Sequence, residues 1–129
     1  MQVRPWLPSV LRFDAALNVA GVLVLAVLGG RLAGVLGLEG VWPLYVVAAL
    51  LAVNGIEVAM AARDPRPGLL LVLAMFDFVF VAAVLAFAAT GDGIETWARA
   101  ALVVIAAATV VTGEAKLIGR RPVSQPAHG

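Results

Sequence analysis

From Leu69 to Thr90 the chain reads as one unbroken apolar run with a single ionisable group, Asp77, well inside it. About 20 predominantly apolar residues, at ~1.5 Å of helix rise each, cross the hydrocarbon of a bilayer. Three further runs of this kind surround it, and each brings an acidic residue of its own: Asp14, Glu57 and Glu114. Dehydrating a carboxylate is costly, so an ionisable residue inside a membrane segment is a functional hypothesis by default. Where four such residues meet, and what they hold, is the question that organises the chain.

Composition agrees with a membrane reading. The hydrophobic residues make up 63% of the chain and the charged ones 13%, against about 45–50% and about 25% in ordinary soluble domains. The length of 129 residues allows one compact domain. The net charge of +1 comes with no basic stripe, so no nucleic-acid partner is expected. Cysteine is absent, and the single histidine, His128, stands in a polar tail. That argues against thiolate or imidazole ligation of zinc, copper or haem within the membrane, and no cofactor is expected. The opening segment, with Arg4, Pro5, Trp6 and Pro8, does not read as a cleaved signal peptide, because the apolar run behind it is too long for a signal core.

The predicted spans are residues 11–36, 43–62, 69–90 and 94–118, in a single domain over 1–122, followed by a short polar tail over 123–129. The expected fold is all-α, a polytopic four-helix transmembrane bundle. Pro5 and Pro8 are expected to keep the first residues out of regular helix, and all seven prolines fall outside span interiors. Trp6, Trp42, Tyr45 and Trp97 suit the interface level. Gly30, Gly34 and Gly37 have two readings: a small-residue face for a neighbouring helix, or a helix end with a glycine stop. Arg4, Arg12, Arg63, Arg66, Lys116, Arg120 and Arg121 fall on one side of the membrane, and Arg31 and Arg99 on the other. The bias places both termini in the cytoplasm, for a multi-pass protein of a bacterial inner membrane.

On these spans the acids gather toward one half. Glu57 and Glu114 each precede an arginine by six residues, about 9 Å of rise, and Asp77 lies about 16 Å beyond Arg66, near the midplane. Asn18 follows Asp14 by one turn, and Asn54 precedes Glu57 by three residues. The opposite half carries no deep ionisable group. The pattern predicts a carboxylate-lined cavity open to the cytoplasm, with Asp77 as its floor, Asp14, Glu57 and Glu114 at its mouth, and an apolar seal beyond. Each residue also has a structural reading. Asp14 complements a helix dipole, Glu57 and Glu114 pair with Arg63 and Arg121, Asn18 and Asn54 bond between helices, and Phe80 packs in a core or faces lipid. Asp77 resists such a reading most, since no lysine or arginine is expected at its depth.

The run Leu11-Arg12-Phe13-Asp14-Ala15 and the ending Leu117-Ile118-Gly119-Arg120-Arg121 resemble those of a type of small four-span integral membrane protein common in high-GC actinobacteria. The resemblance implies the four-span layout and short loops, and no activity. Three function classes follow from the residues. The first is a membrane-embedded acid–base enzyme on a lipophilic small molecule, of isomerase, cyclase or epoxide-opening type. Asp77, Glu57, Glu114 and Asp14 would be its catalytic groups, with Asn18, Asn54 and Phe80 holding substrate. The second is a proton-coupled transporter or binder of cations or protonated amines. The third is an accessory subunit of a larger membrane complex. The expected surroundings are the lipid bilayer with a lipophilic molecule or cation, and a homodimer or partner subunit; whether the chain is an enzyme stays open.

Overall fold

The computed structural model describes residues 4–121; the expected tail over 123–129, with His128, lies outside them. Four helices follow one another: α1 (Leu7–Val35), α2 (Trp42–Arg63), α3 (Pro67–Thr90) and α4 (Thr96–Gly119). All four are long and apolar enough to cross a membrane. The helix α1 starts four residues ahead of the expected span because Pro8 sits in its first turn. A proline there removes only an N–H that has no intrahelical partner. Pro43 and Pro67 use the same allowance at the starts of α2 and α3.

The bundle is two hairpins side by side. Helix α1 packs along α2 and α3 along α4, with shorter approaches of α1 to α4 and of α2 to α3. The outer surface is apolar: Val27, Val79 and Val104 are all largely exposed, as expected for side chains that face lipid. Trp6 lies exposed at the end where the chain starts, and Trp42, Tyr45 and Trp97 lie exposed at the opposite, distal end. These are the two interface levels at which aromatic belts form.

The N/C end closes on an apolar plug. Leu7, Leu11, Val58, Ala61, Leu70 and Leu73 are fully buried against one another. Gly119 completes it from α4: a Cβ there would stand 2.6 Å from Cδ1 of Leu7 and 2.9 Å from its Cδ2. Gly119→Val is therefore expected to lower stability by about 1–3 kcal/mol, the usual cost of overpacking a filled core. Gly34→Val, with nothing within 4 Å of its Cβ, is expected to be near neutral. Thermal unfolding of the two purified variants in detergent compares them directly.

At the distal end α1 stops on Gly37, in the left-handed region at φ 72°. The N–H of Leu38 returns to Ala33 O at 2.8 Å and that of Gly37 to Gly34 O at 3.1 Å, the Schellman arrangement. Of the two readings of the glycine series, the helix stop holds at Gly37, while a Cβ on Gly30 or Gly34 would meet nothing within 4 Å among the described residues. The hairpins touch again here, where Glu95 N–H donates to Val35 O at 3.0 Å. Arg99 turns back and donates to Ala88 O and Gly91 O, satisfying carbonyls at the end of α3.

Candidate functional site

Above the plug all four helices contribute to one buried polar cluster. Its centre is Lys116 of α4, whose side chain is wholly buried. The Nζ atom lies 2.6 Å from Oδ2 of Asp14 on α1 and 2.5 Å from Oδ2 of Asp77 on α3. The contact with Asp77 has hydrogen-bond geometry; that with Asp14 Oδ2 is an ion pair without hydrogen-bond alignment.

Helix direction explains how the three groups meet. Cα–Cβ bonds tilt toward a helix's own N-terminus. Helices α1 and α3 run away from the N/C end, so Asp14 and Asp77 lean back toward it. Helix α4 runs the other way, so the Lys116 stem leans into the membrane, opposite to the snorkelling of a lysine that seeks headgroups. The expectation that no cation stands near Asp77 is thus overturned: four methylenes carry the ammonium from a backbone position close to the end of α4 up to the carboxylate.

Small residues bring the helices close enough. A Cβ on Gly113 would lie 3.3 Å from Cβ of Asp77 and 3.2 Å from Cζ of Phe78, and one on Gly55 would lie 3.0 Å from Cβ of Asn18. Gly113 lets α4 approach α3 one turn before Lys116, and Gly55 lets α2 approach α1 at Asn18. Gly113→Val is expected to cost about 1–3 kcal/mol and to part Lys116 from Asp77. Unfolding measurements on Gly113→Val with and without Asp77→Asn test this: the two losses should fall short of additive.

The amides extend the cluster. Asn54 Nδ2 donates to Asn18 Oδ1 at 3.0 Å; Asn18 Nδ2 in turn donates to the Asp14 backbone oxygen at 2.8 Å and to Asp14 Oδ1 at 3.3 Å. Oδ1 of Asn54 ends the chain as a buried acceptor with no partner. On the other flank, the Thr112 hydroxyl donates to Thr109 O at 2.9 Å, with Asp77 Oδ2 as a longer alternative at 3.4 Å. One hydroxyl proton serves one of these at a time.

Of the residues singled out from sequence, Asp14, Asp77, Asn18 and Asn54 come together. Glu57 is half-buried, and Glu114 is exposed on the outer face of α4. Neither makes an ion pair among the described residues. Phe80 is half-buried, and the ring at the close α3–α4 approach is Phe78. Among the described residues no group of three acidic, histidine or cysteine side chains assembles as a metal site. Lys116 and Thr112 are the members that sequence reasoning missed.

With both carboxylates ionised and the amine protonated, the centre carries one net negative charge. Such a site can exchange protons, and it can hold one cation between two carboxylates, a place that Lys116 fills from within. Comparison with family models, with curated proteins and with solved structures finds no match for the chain.

Proposed function

We propose that the chain binds a small monovalent cation or protonated amine within the membrane and exchanges it for a proton, as a proton-coupled transporter does. The observation that carries the reading is the convergence of two buried carboxylates from separate hairpins on one buried amine. In the resting state the Lys116 ammonium occupies the Asp14–Asp77 cradle. When Lys116 loses its proton to solvent, the neutral amine releases both carboxylates, and an incoming cation takes its place. The cradle carries one net negative charge before and after the exchange. That balance matters because uncompensated charge in a low-dielectric interior is what makes intramembrane ions costly. Asn18 and Asn54 hold the Asp14 arm in position.

An acid–base enzyme would need room for a substrate beside a carboxylate. Here the ammonium fills the space between the two carboxylates at contact distance, which favours a cation as the ligand. The plug of Leu7, Leu11, Leu70 and Leu73 stands between the cluster and the N/C end, and its parting is the opening step of the cycle. Both termini are assigned to the cytoplasmic face of a bacterial inner membrane. Arg4, Arg12, Arg63, Arg66, Arg120 and Arg121 on that side outnumber Arg31 and Arg99 on the other even with Lys116 turned inward.

The test is proton release. Methylammonium, sodium or potassium is added to the full chain in nanodiscs in weakly buffered solution, with a pH dye as readout. About one proton per bound cation is expected near neutral pH, with tighter binding and less release as the pH rises. Asp77→Asn removes one arm of the cradle and should abolish the signal. Absence of proton release at every pH, or equal release by Asp77→Asn, overturns the proposal.

A further inference from the structure

A second site lies on the outer surface, between α1 and α2. Ala15, Ala16, Val19 and Leu23 of α1 face Leu51, Gly55 and Ala59 of α2 across an apolar groove of about 420 Å³. Ala15, Ala16, Gly55 and Ala59 leave the groove open, and Val19, Leu23 and Leu51 wall the rest of it. A second, smaller hollow of about 270 Å³ adjoins it through the shared residues Ile56 and Ala59 and ends on Arg63. On α1, Arg12 precedes Ala15, Ala16 and Val19 by three, four and seven residues, so it stands on the groove face one turn nearer the N/C end. Arg12 and Arg63 are both exposed. Neither makes an ion pair among the described residues.

We propose that this groove binds an anionic glycerophospholipid, with an acyl chain along the α1–α2 cleft and its phosphate between Arg12 and Arg63. The dimensions agree. From Arg12 to Leu23 the helix rises about 16 Å, and one leaflet of hydrocarbon is about 15 Å deep, half of ~30 Å. The charge agrees as well. Two guanidiniums at the headgroup level offer forked donors that match phosphate oxygens, and the cleft above them is lined by apolar side chains. Glu57 does not compete for them: it lies about 120° around α2 from Arg63, off the groove face. The cleft also runs behind Gly55, whose close approach to Asn18 holds the two helices of this hairpin together. A lipid seated there lies against the back of the polar cluster without entering it, and its binding does not depend on cation exchange.

Native mass spectrometry of the full chain tests the site, with phosphatidylglycerol or phosphatidylcholine of identical acyl chains added to the detergent micelle. At least fivefold greater retention of phosphatidylglycerol is expected. The double variant Arg12→Gln/Arg63→Gln should remove the preference. Ala59→Phe, which fills the cleft and leaves both arginines, should remove it too. Equal retention of the two lipids by the unaltered chain overturns the proposal. So does a preference that survives the arginine changes, which would place the headgroup elsewhere. A preference that survives Ala59→Phe would reduce the effect to surface charge without a groove, and overturns it as well.

Discussion

Lys116→Met is expected to be the most destabilising single substitution in the chain, costing about 3–5 kcal/mol, the range for breaking a buried ion pair by removing one partner. Methionine matches the lysine stem in length and keeps its packing, so the loss isolates the charge. What remains is two buried carboxylates, each of which had an oxygen within 2.6 Å of the same nitrogen. They repel each other in a medium that screens poorly. Asp77→Asn should cost much less, because Asp14 and Lys116 remain as a neutral pair. The triple variant Asp14→Asn/Lys116→Met/Asp77→Asn should recover most of the loss, as replacement of a whole buried ion cluster commonly does. The deficit of Lys116→Met should also shrink as the pH falls, since a protonated carboxyl needs no counter-ion. Unfolding in mixed micelles across a pH series measures all four effects. Stability of Lys116→Met within 1 kcal/mol of the parent chain, which is less than the smallest loss typical of such a break, would show that the ion cluster does not hold the hairpins together.

The four spans were legible because hydropathy and length decide them locally. The glycine- and proline-bearing loops punctuate them within a few residues of the observed helix ends. That Asp14, Asn18, Asn54 and Asp77 belong together could also be read, since each is a polar side chain in the same half of an apolar run, although the sequence set Asp77 at the floor and Asp14 at the mouth. Lys116 could not be read that way. By position it stands four residues before Arg120, among the charges that set orientation, and a one-dimensional reading assigns charge to the depth of its Cα. Its real depth follows from the direction of α4 and the tilt of side chains toward the helix start, which matter only once the helices are assembled. Gly55 and Gly113 carried a signal that went unused. A glycine beside Asn54, and another one turn before Lys116, mark where backbones approach closely enough for buried polar groups to bond across helices. Depth alone placed Glu57 and Glu114 with the other acids; in the fold Glu114 is exposed and Glu57 half-buried, and neither makes an ion pair among the described residues.

Gly37→Ala is expected to separate the hairpins at the distal end and to cost about 3 kcal/mol, from two independent penalties. The residue sits at φ 72°, where a side chain costs roughly 1–2 kcal/mol. An added Cβ would also stand 2.4 Å from Asp92 O and 2.9 Å from the carbonyl carbon of Gly93. Those are backbone atoms, which cannot swing aside as a side chain can, and such overpacking adds about 1–3 kcal/mol. Gly93→Ala divides the two effects. Its φ is 74°, but its Cβ would meet only Gly37 Cα at 3.6 Å, so it carries the conformational cost without the clash and should lose about 1–2 kcal/mol. The difference between the variants is thus the worth of the contact between the α1–α2 and α3–α4 hairpins at this end. The absence of cysteine lets spin labels be placed at Glu39→Cys and Thr96→Cys alone, on exposed positions flanking the contact. A narrow distance distribution between the labels should broaden in Gly37→Ala and stay narrow in Gly93→Ala. The distal contact acts through packing and the N/C end acts through charge and its leucine plug. If Gly37→Ala is as stable as Gly93→Ala and the distribution is unchanged, the hairpins are not joined there.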